Sequence, residues 1–441
     1  MNVKEINVAL SQGRIEQSGV FPHLEELQEL PVTFELDFGL NKLPDQPGIL
    51  CVRGPRQFGK STWLESQVYE TTKSYGPGSA FYLNGDEMLN HQELVQIVNE
   101  LSLLYSTKAK VKRLFIDEIT AIDQWEKGIK RLIDSGIARK LLIITTGSKA
   151  TDLRRGHERL PGRKGKLNRT EYYFTPISYP EFKRVCFGKM EKKTLINYLI
   201  SGGSPPACVE LYSQGKLPEY VIHTVRDWIL GEIAASGRTR SSLMAILQNI
   251  IRYGGTPIGH AKLARESGLA NNTVATGYTE LLCDLMCITP SRAWDNSKQT
   301  AILRKPSKFH FVNLLAAVAW HPQHIRSASD FEQLSPQQQG IWYEWAVAQE
   351  LVRQASIRGQ ESPETLYYWQ SKHNEIDFVT QDLHFIEIKR GPMSPIDFSW
   401  FSQSFPKEKL IVINQNRFTT SAIDGITLED FLTNGKSHPI D

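Results

Sequence analysis

One run of residues narrows the choice of fold more than any other: Gly54-Pro-Arg-Gln-Phe-Gly59-Lys60-Ser61, with Thr62 behind it. It fits G-x-x-x-x-G-K-[ST], the pattern of a phosphate-binding loop. The apolar run Gly48–Val52 before it is expected as a strand, and Ser61–Tyr69 after it has helical spacing. Strand, loop and helix therefore stand in the order the chemistry requires. Gly54 and Gly59 let the backbone curl its N–H groups around phosphate oxygens, and the helix start adds its positive end. Lys60 can reach the β- and γ-phosphates of ATP, while the Ser61 hydroxyl is a ligand for Mg²⁺.

The surrounding pattern is α/β. Apolar runs at Gly48–Val52, Ala80–Leu83, Leu114–Ile116, Leu141–Thr145 and Tyr172–Thr175 alternate with helical patterns such as His91–Leu104 and Ile122–Ser135. Parallel strands with helical crossovers follow, their loops gathered at one sheet edge. The third run ends there in Asp117-Glu118, with Asp117 expected to hold Mg²⁺ and Glu118 to orient and activate the attacking water. The fourth ends in Thr146-Gly147-Ser148, hydroxyl residues suited to sensing a γ-phosphate, helix capping being the plainer alternative.

From about Ser178 to Ala235 the chain reads as helical. Residues 257–282 then read helix, turn, helix, with Asn271, Asn272, Thr273 and Thr276 expected on the exposed face of the second helix, and weak strands follow. A docking role for that segment is equally open, because the helix is poor in Lys and Arg. Trp320–Ser335, with prolines and polar residues, is the best linker candidate. The last section reads helix (Gln338–Ser356), three strands, a short helix and a strand. Glu344 lies on that helix, Asp377 ends the second strand, and Glu387-Ile-Lys389 alternates along the third so that Glu387 and Lys389 share a face. Asp377 and Glu387 would make a hard oxygen site for Mg²⁺ or Mn²⁺, with Lys389 polarising a water beside them. A solvated pair on an edge strand is the competing explanation.

Composition removes several classes. Lys plus Arg number 51 and Asp plus Glu 48, a formal charge of +3, so a nucleic-acid surface has to be a local patch. Arg154–Arg169 is that patch, with seven Lys or Arg and one acid. The five cysteines are scattered, which suits free thiols in a reducing compartment. No apolar run approaches the ~20 residues of a membrane span. A cytoplasmic protein without a membrane partner is expected.

The loop, the Asp117-Glu118 pair and Thr146-Gly147-Ser148 together resemble the AAA+ superfamily. Leu160-Pro-Gly-Arg163, Pro176-Ile-Ser-Tyr-Pro-Glu-Phe182 and Tyr198-Leu-Ile-Ser-Gly-Gly-Ser-Pro205 narrow the likeness to AAA_14/DUF4143 ATPases, near the STAND branch. The C-terminal order of Glu344, Asp377, Glu387 and Lys389 resembles PD-(D/E)XK nucleases. The resemblance implies an AAA+ ATPase with helical lid at 1–235 (lid about 178–235), a winged helix-turn-helix at 236–320 and a nuclease-like α/β domain at 331–441. It also implies Arg163 at the nucleotide. The function implied is ATP hydrolysis that gates or positions Mg²⁺-dependent DNA cleavage, with DNA, a second copy of the chain or a protein as partner. The alternative is a STAND-like signalling or scaffold ATPase whose C-terminal domain binds DNA or a protein without cutting.

Overall fold

The computed structural model describes residues 1–147, 156, 159–160, 162, 164–360 and 362–434. They form two compact units, Met1–Thr33 with Asp37–Thr175, and Phe34–Leu36 with Pro176–Asp441.

The first unit is built on five strands: β1 (Gly48–Arg53), β2 (Ala80–Asn84), β3 (Arg113–Asp117), β4 (Leu142–Gly147) and β5 (Glu171–Tyr173). Their order is β2-β3-β4-β1-β5 and every pairing is parallel. All residues of β3 and β4 are buried, as continuous apolar strands covered on both faces must be. From β1 the chain crosses to the far edge at β2 and works back through β3 and β4. The C-terminal ends of β1, β3 and β4 are thereby neighbours, the place where open α/β sheets bind ligands. The β2 edge is closed by Asn7 from the helix Val3–Gln12. Its amide donates to Tyr82 O (2.7 Å) and accepts from Tyr82 N (2.8 Å), so the side chain acts as a further strand.

The second unit carries nine strands: β6 (Ile288–Asp295), β7 (Thr300–Ala301), β8 (Lys308–Phe311), β9 (Leu366–Gln370), β10 (Glu375–Val379), β11 (Phe385–Ile388), β12 (Leu410–Ile413), β13 (Phe418–Thr419) and β14 (Ile423–Ile426). The sheet runs β13-β14-β12-β11-β10-β9-β6-β7, with β8 on β6. β9, β10 and β11 are antiparallel neighbours, β11 and β12 parallel. One face packs Phe378, Ile386, Ile388 and Ile411 against the helices Tyr179–Met190 and Pro336–Ile357. The other packs Ile376, Val379, Phe385 and Leu410 against Phe398, Phe401 and Phe405.

The helices of residues 179–235, expected as a lid, belong to this second unit. So do the helices Arg240–Arg252, His260–Glu266 and Asn272–Asp284, which precede the antiparallel β6/β8 pair. The expected linker Trp320–Ser335 is packed. It holds the helix Ala328–Glu332, capped by Ser327, and buries Ile325, Phe331 and Leu334 in the helical core. Ser327, Asp330 and Ser335 serve as helix caps, and its apolar residues lie too far apart for a periodicity to show.

Candidate functional site

The loop after β1 has the backbone its sequence requires. Gln57 and Gly59 take left-handed φ values of 60° and 97°, and a Cβ on Gly54 would lie 2.6 Å from Phe174 Cβ. Only glycine fits at Gly54, where the chain turns under β5. Lys60 begins the helix Lys60–Tyr75 and is buried, its Nζ donating to the carbonyls of Gly54 (3.0 Å) and Pro55 (2.7 Å). Burial lowers its pKa against the opposing pull of Glu118 and Asp117. A phosphate oxygen offers the ammonium a better acceptor than either carbonyl.

Asp117, Glu118 and Thr146 meet at the ends of β3 and β4. The Thr146 hydroxyl donates to Asp117 Oδ1 and accepts from the Glu118 N–H (3.2 Å), which also reaches Asp117 Oδ1 at 3.1 Å. Both carboxylate positions are thus tied to one buried hydroxyl, and Thr146 caps none of the described helices. Glu118 sits at φ 45°, a left-handed conformation costing roughly 1–2 kcal/mol. Gly85 lies under that turn: a Cβ there would stand 2.2 Å from Glu118 O. The hydroxyl of Ser61 and the carboxylate of Asp117 are hard oxygen donors, and with the glycine cradle they fit Mg²⁺ and a nucleotide phosphate chain.

In the second unit Asp377 lies on β10 and Glu387 on β11. A register shift between Ile376 and Val379 turns the strand, so that Ile376 and Val379 enter one core and Phe378 the other. Such a bulge re-aims side chains. Carboxylate atoms of Glu375, Asp377 and Glu387 come within 4.8 Å of one another. Asp377 N donates to Glu387 Oε2 (3.0 Å), Ile388 N donates to Asp377 Oδ2 (2.9 Å), and Lys389 Nζ pairs with Glu387 Oε1. Glu375, Glu387 and Lys389 open on a cleft of about 350 Å³ walled by His373 and Trp400.

The residue that sequence reasoning missed is Lys308, on β8. Its side chain is wholly buried and its Nζ lies 2.8 Å from Asp377 Oδ1 and 3.8 Å from Glu375 Oε2. Lys-Phe-His-Phe alternates like a half-exposed strand, so nothing in the sequence marks Lys308 as internal. Burial would raise the Asp377 pKa, but Lys308 and Lys389 outweigh it and hold the carboxyl below its ordinary value. Glu344 is pushed up to about 8, by burial and then by Asp377, and its Oε2 has no hydrogen-bond partner. Burial and Asp377 also raise Glu387 well above the usual range. The cluster is therefore balanced by two lysines. Each oxygen of Asp377 and Glu387 already pairs with a group of the chain, so a divalent ion drawn to these two and Glu375 would compete with both lysines.

Residues 46–183 match the family AAA_14, described as an AAA domain, and residues 339–429 match DUF4143, described as a domain of unknown function. Residues 46–183 are thus similar to an AAA domain, and the phosphate-binding loop lies within the matched segment. A curated relative, uncharacterized protein MJ1544 of Methanocaldococcus jannaschii, is 25% identical over 210 residues, 45% of this chain and 44% of that protein. The match thus spans less than half the relative's length. Among solved structures, a Walker-type ATPase of Pyrococcus abyssi is similar at TM-score 0.43 and 15% identity, covering 68% of this chain and 93% of that one. The Aeropyrum pernix ORC1 protein, solved in complex with DNA, gives TM-score 0.31 and 12% identity over 70% and 95% of the two chains. RuvB of Thermotoga maritima gives 0.31 and 16% over 55% and 82%.

The AAA domain brings Gly54, Gly59, Lys60, Ser61 and Thr62 to one loop and helix start, and Asp117, Glu118 and Thr146 to the neighbouring strand ends. Ser148 and Arg163 lie outside the described residues, as do Arg154 and Arg155 of the basic run. Within that run Arg159 pairs with Glu126 (2.9 Å), Lys164 with Glu171 (3.6 Å), and Arg169 stacks over Tyr172 (4.1 Å). These three side chains serve the AAA domain's own packing. In the second unit Asn272 and Thr273 are exposed, whereas Asn271 accepts from Val274 N as a helix cap and Thr276 donates to Asn272 O. Among the described residues no helix is long and apolar enough to cross a membrane.

Proposed function

We infer that this chain hydrolyses ATP and uses its nucleotide state to control what the second unit binds, DNA being the ligand class favoured. One observation carries the ATPase part: Thr146 locks Asp117 and the Glu118 backbone together beside the P-loop. Loop N–H groups and Lys60 hold the phosphates, while Ser61 and Asp117 would hold Mg²⁺, which supplies charge neutralisation at the β- and γ-phosphates. Glu118 orients the attacking water and draws its proton. The DNA part is supported by three helices followed by a hairpin in residues 240–311, and by exposed Asn272 and Thr273 at a helix start.

A second reading, a metal-dependent PD-(D/E)XK nuclease, is favoured by the meeting of Glu375, Asp377 and Glu387, by the cleft that Glu375, Glu387 and Lys389 line, and by the charge of Asp377 acting on buried Glu344. It needs a divalent cation at carboxylates that Lys308 and Lys389 already pair, so the non-cutting reading is preferred. Lys60→Ala in the purified full chain is expected to abolish ATP turnover; retained turnover defeats the ATPase assignment. A gel of single- and double-stranded DNA with ATP, ADP or neither should show nucleotide-dependent shifts without cutting. Cleavage lost in Asp377→Ala would instead establish the nuclease.

A further inference from the structure

We propose that Lys308 is the resident cation of the carboxylate cluster, standing where a divalent metal would otherwise be held. This deepens the non-cutting reading of the second unit and rests on it. A hard cation would have to draw together oxygens of Glu375, Asp377 and Glu387. The ammonium of Lys308 already pairs with two of the three, 2.8 Å from Asp377 Oδ1 and 3.8 Å from Glu375 Oε2, with no solvent contact along its side chain. The remaining oxygens of Asp377 and Glu387 are taken by Ile388 N, Asp377 N and Lys389.

Lys308 is held there by the fold. β8 pairs with β6 through Ser291 and Lys308, and β6 pairs with β9, the strand next to Asp377. The Tyr368 hydroxyl donates to Pro306 O (2.8 Å), fixing the chain just before β8, and its ring lies 5.6 Å from the Lys308 ammonium. A flexible surface lysine could swing aside for a metal. This one is wholly buried and anchored by the register of β8 on β6. A divalent ion beside it would add two positive charges to a buried ammonium in a poorly screened site. Lys308 instead satisfies Asp377 with one charge and one direct hydrogen bond, and the cluster is complete when the chain folds.

The test counts metal ions in the full chain. In nucleotide-free Asp117→Asn protein, whose P-loop metal ligand is gone, Mn²⁺ titration followed by electron paramagnetic resonance should find no bound ion at micromolar protein. Adding Lys308→Met, of similar length but neutral, should create one Mn²⁺ site per chain, and Mn²⁺ should then raise the thermal midpoint. Lys308→Arg keeps the charge and should bind none. One Mn²⁺ bound with Lys308 intact overturns the proposal, and so does a folded Lys308→Met chain that binds none. If Lys308→Met fails to fold, the count with Lys308 intact decides. The same Asp117→Asn preparation, with Lys308 intact, is tested on DNA and separates the two readings. Cutting without a bound ion defeats the non-cutting reading alone, whereas a bound ion without cutting defeats only the Lys308 assignment.

Discussion

Thr146 is a single hydroxyl serving two carboxylate-bearing residues, and its removal should be felt in chemistry more than in binding. Thr146→Val keeps the shape but removes the hydroxyl that holds Asp117 and receives the Glu118 N–H. Partners that orient metal ligands are typically worth 10–100-fold, so we expect ATP turnover to fall by about that factor. The Kd of a fluorescent nucleotide should move by only a few-fold. Glu344 makes a pH prediction. Folded, it keeps its proton to about pH 8; unfolded, it loses it near its ordinary value of 4.5. The folded state binds the extra proton across that window, so this group's contribution to stability falls as pH rises through it. Thermal midpoints of wild type should therefore drop relative to Glu344→Gln between about pH 5 and about pH 8. The spacing of the P-loop showed its residues because backbone chemistry fixes them locally. Lys308 was invisible because its environment is made by strands far away in the chain.

At the scale of elements, the sheet depends on two small fittings. Gly85 allows the turn after β2 to pass against Glu118, and Gly85→Ala would force the two turns apart. A cost of about 1–3 kcal/mol in urea denaturation is expected, together with slower ATP turnover. Asn7 closes the β2 edge through both amide atoms, and Asn7→Ala leaves the Tyr82 N–H and C=O without it. That should cost about 1–3 kcal/mol, read from the same denaturation curve. The strands β1 to β5 were legible as apolar runs because a parallel sheet is buried on both faces. β13 and β14 escaped notice, since two and four residues around Gly425 carry too short a pattern. The bulge in β10 also escaped: strict alternation would put Ile376 and Phe378 on one face, and they enter different cores.

At the scale of the whole molecule, the pairing of Ser291–Ala293 with Leu366–Tyr368 makes residues 288–311 part of the same sheet as residues 366–426. A fragment starting at 331 would lack β6 and β8, bare the edge of β9 and leave Asp377 without Lys308. It is expected to aggregate, whereas a fragment of 176–441 should unfold in one cooperative transition, as circular dichroism can follow. The same pairing sets a schedule for synthesis. Thr289 finds its partner Glu364 only 75 residues later, and at ~5–20 residues per second the ribosome takes several seconds to deliver it. Through that interval the nascent chain displays an open β6 edge. That edge is where a holding chaperone would bind this protein, and where neighbouring chains on one messenger would pair wrongly if none did.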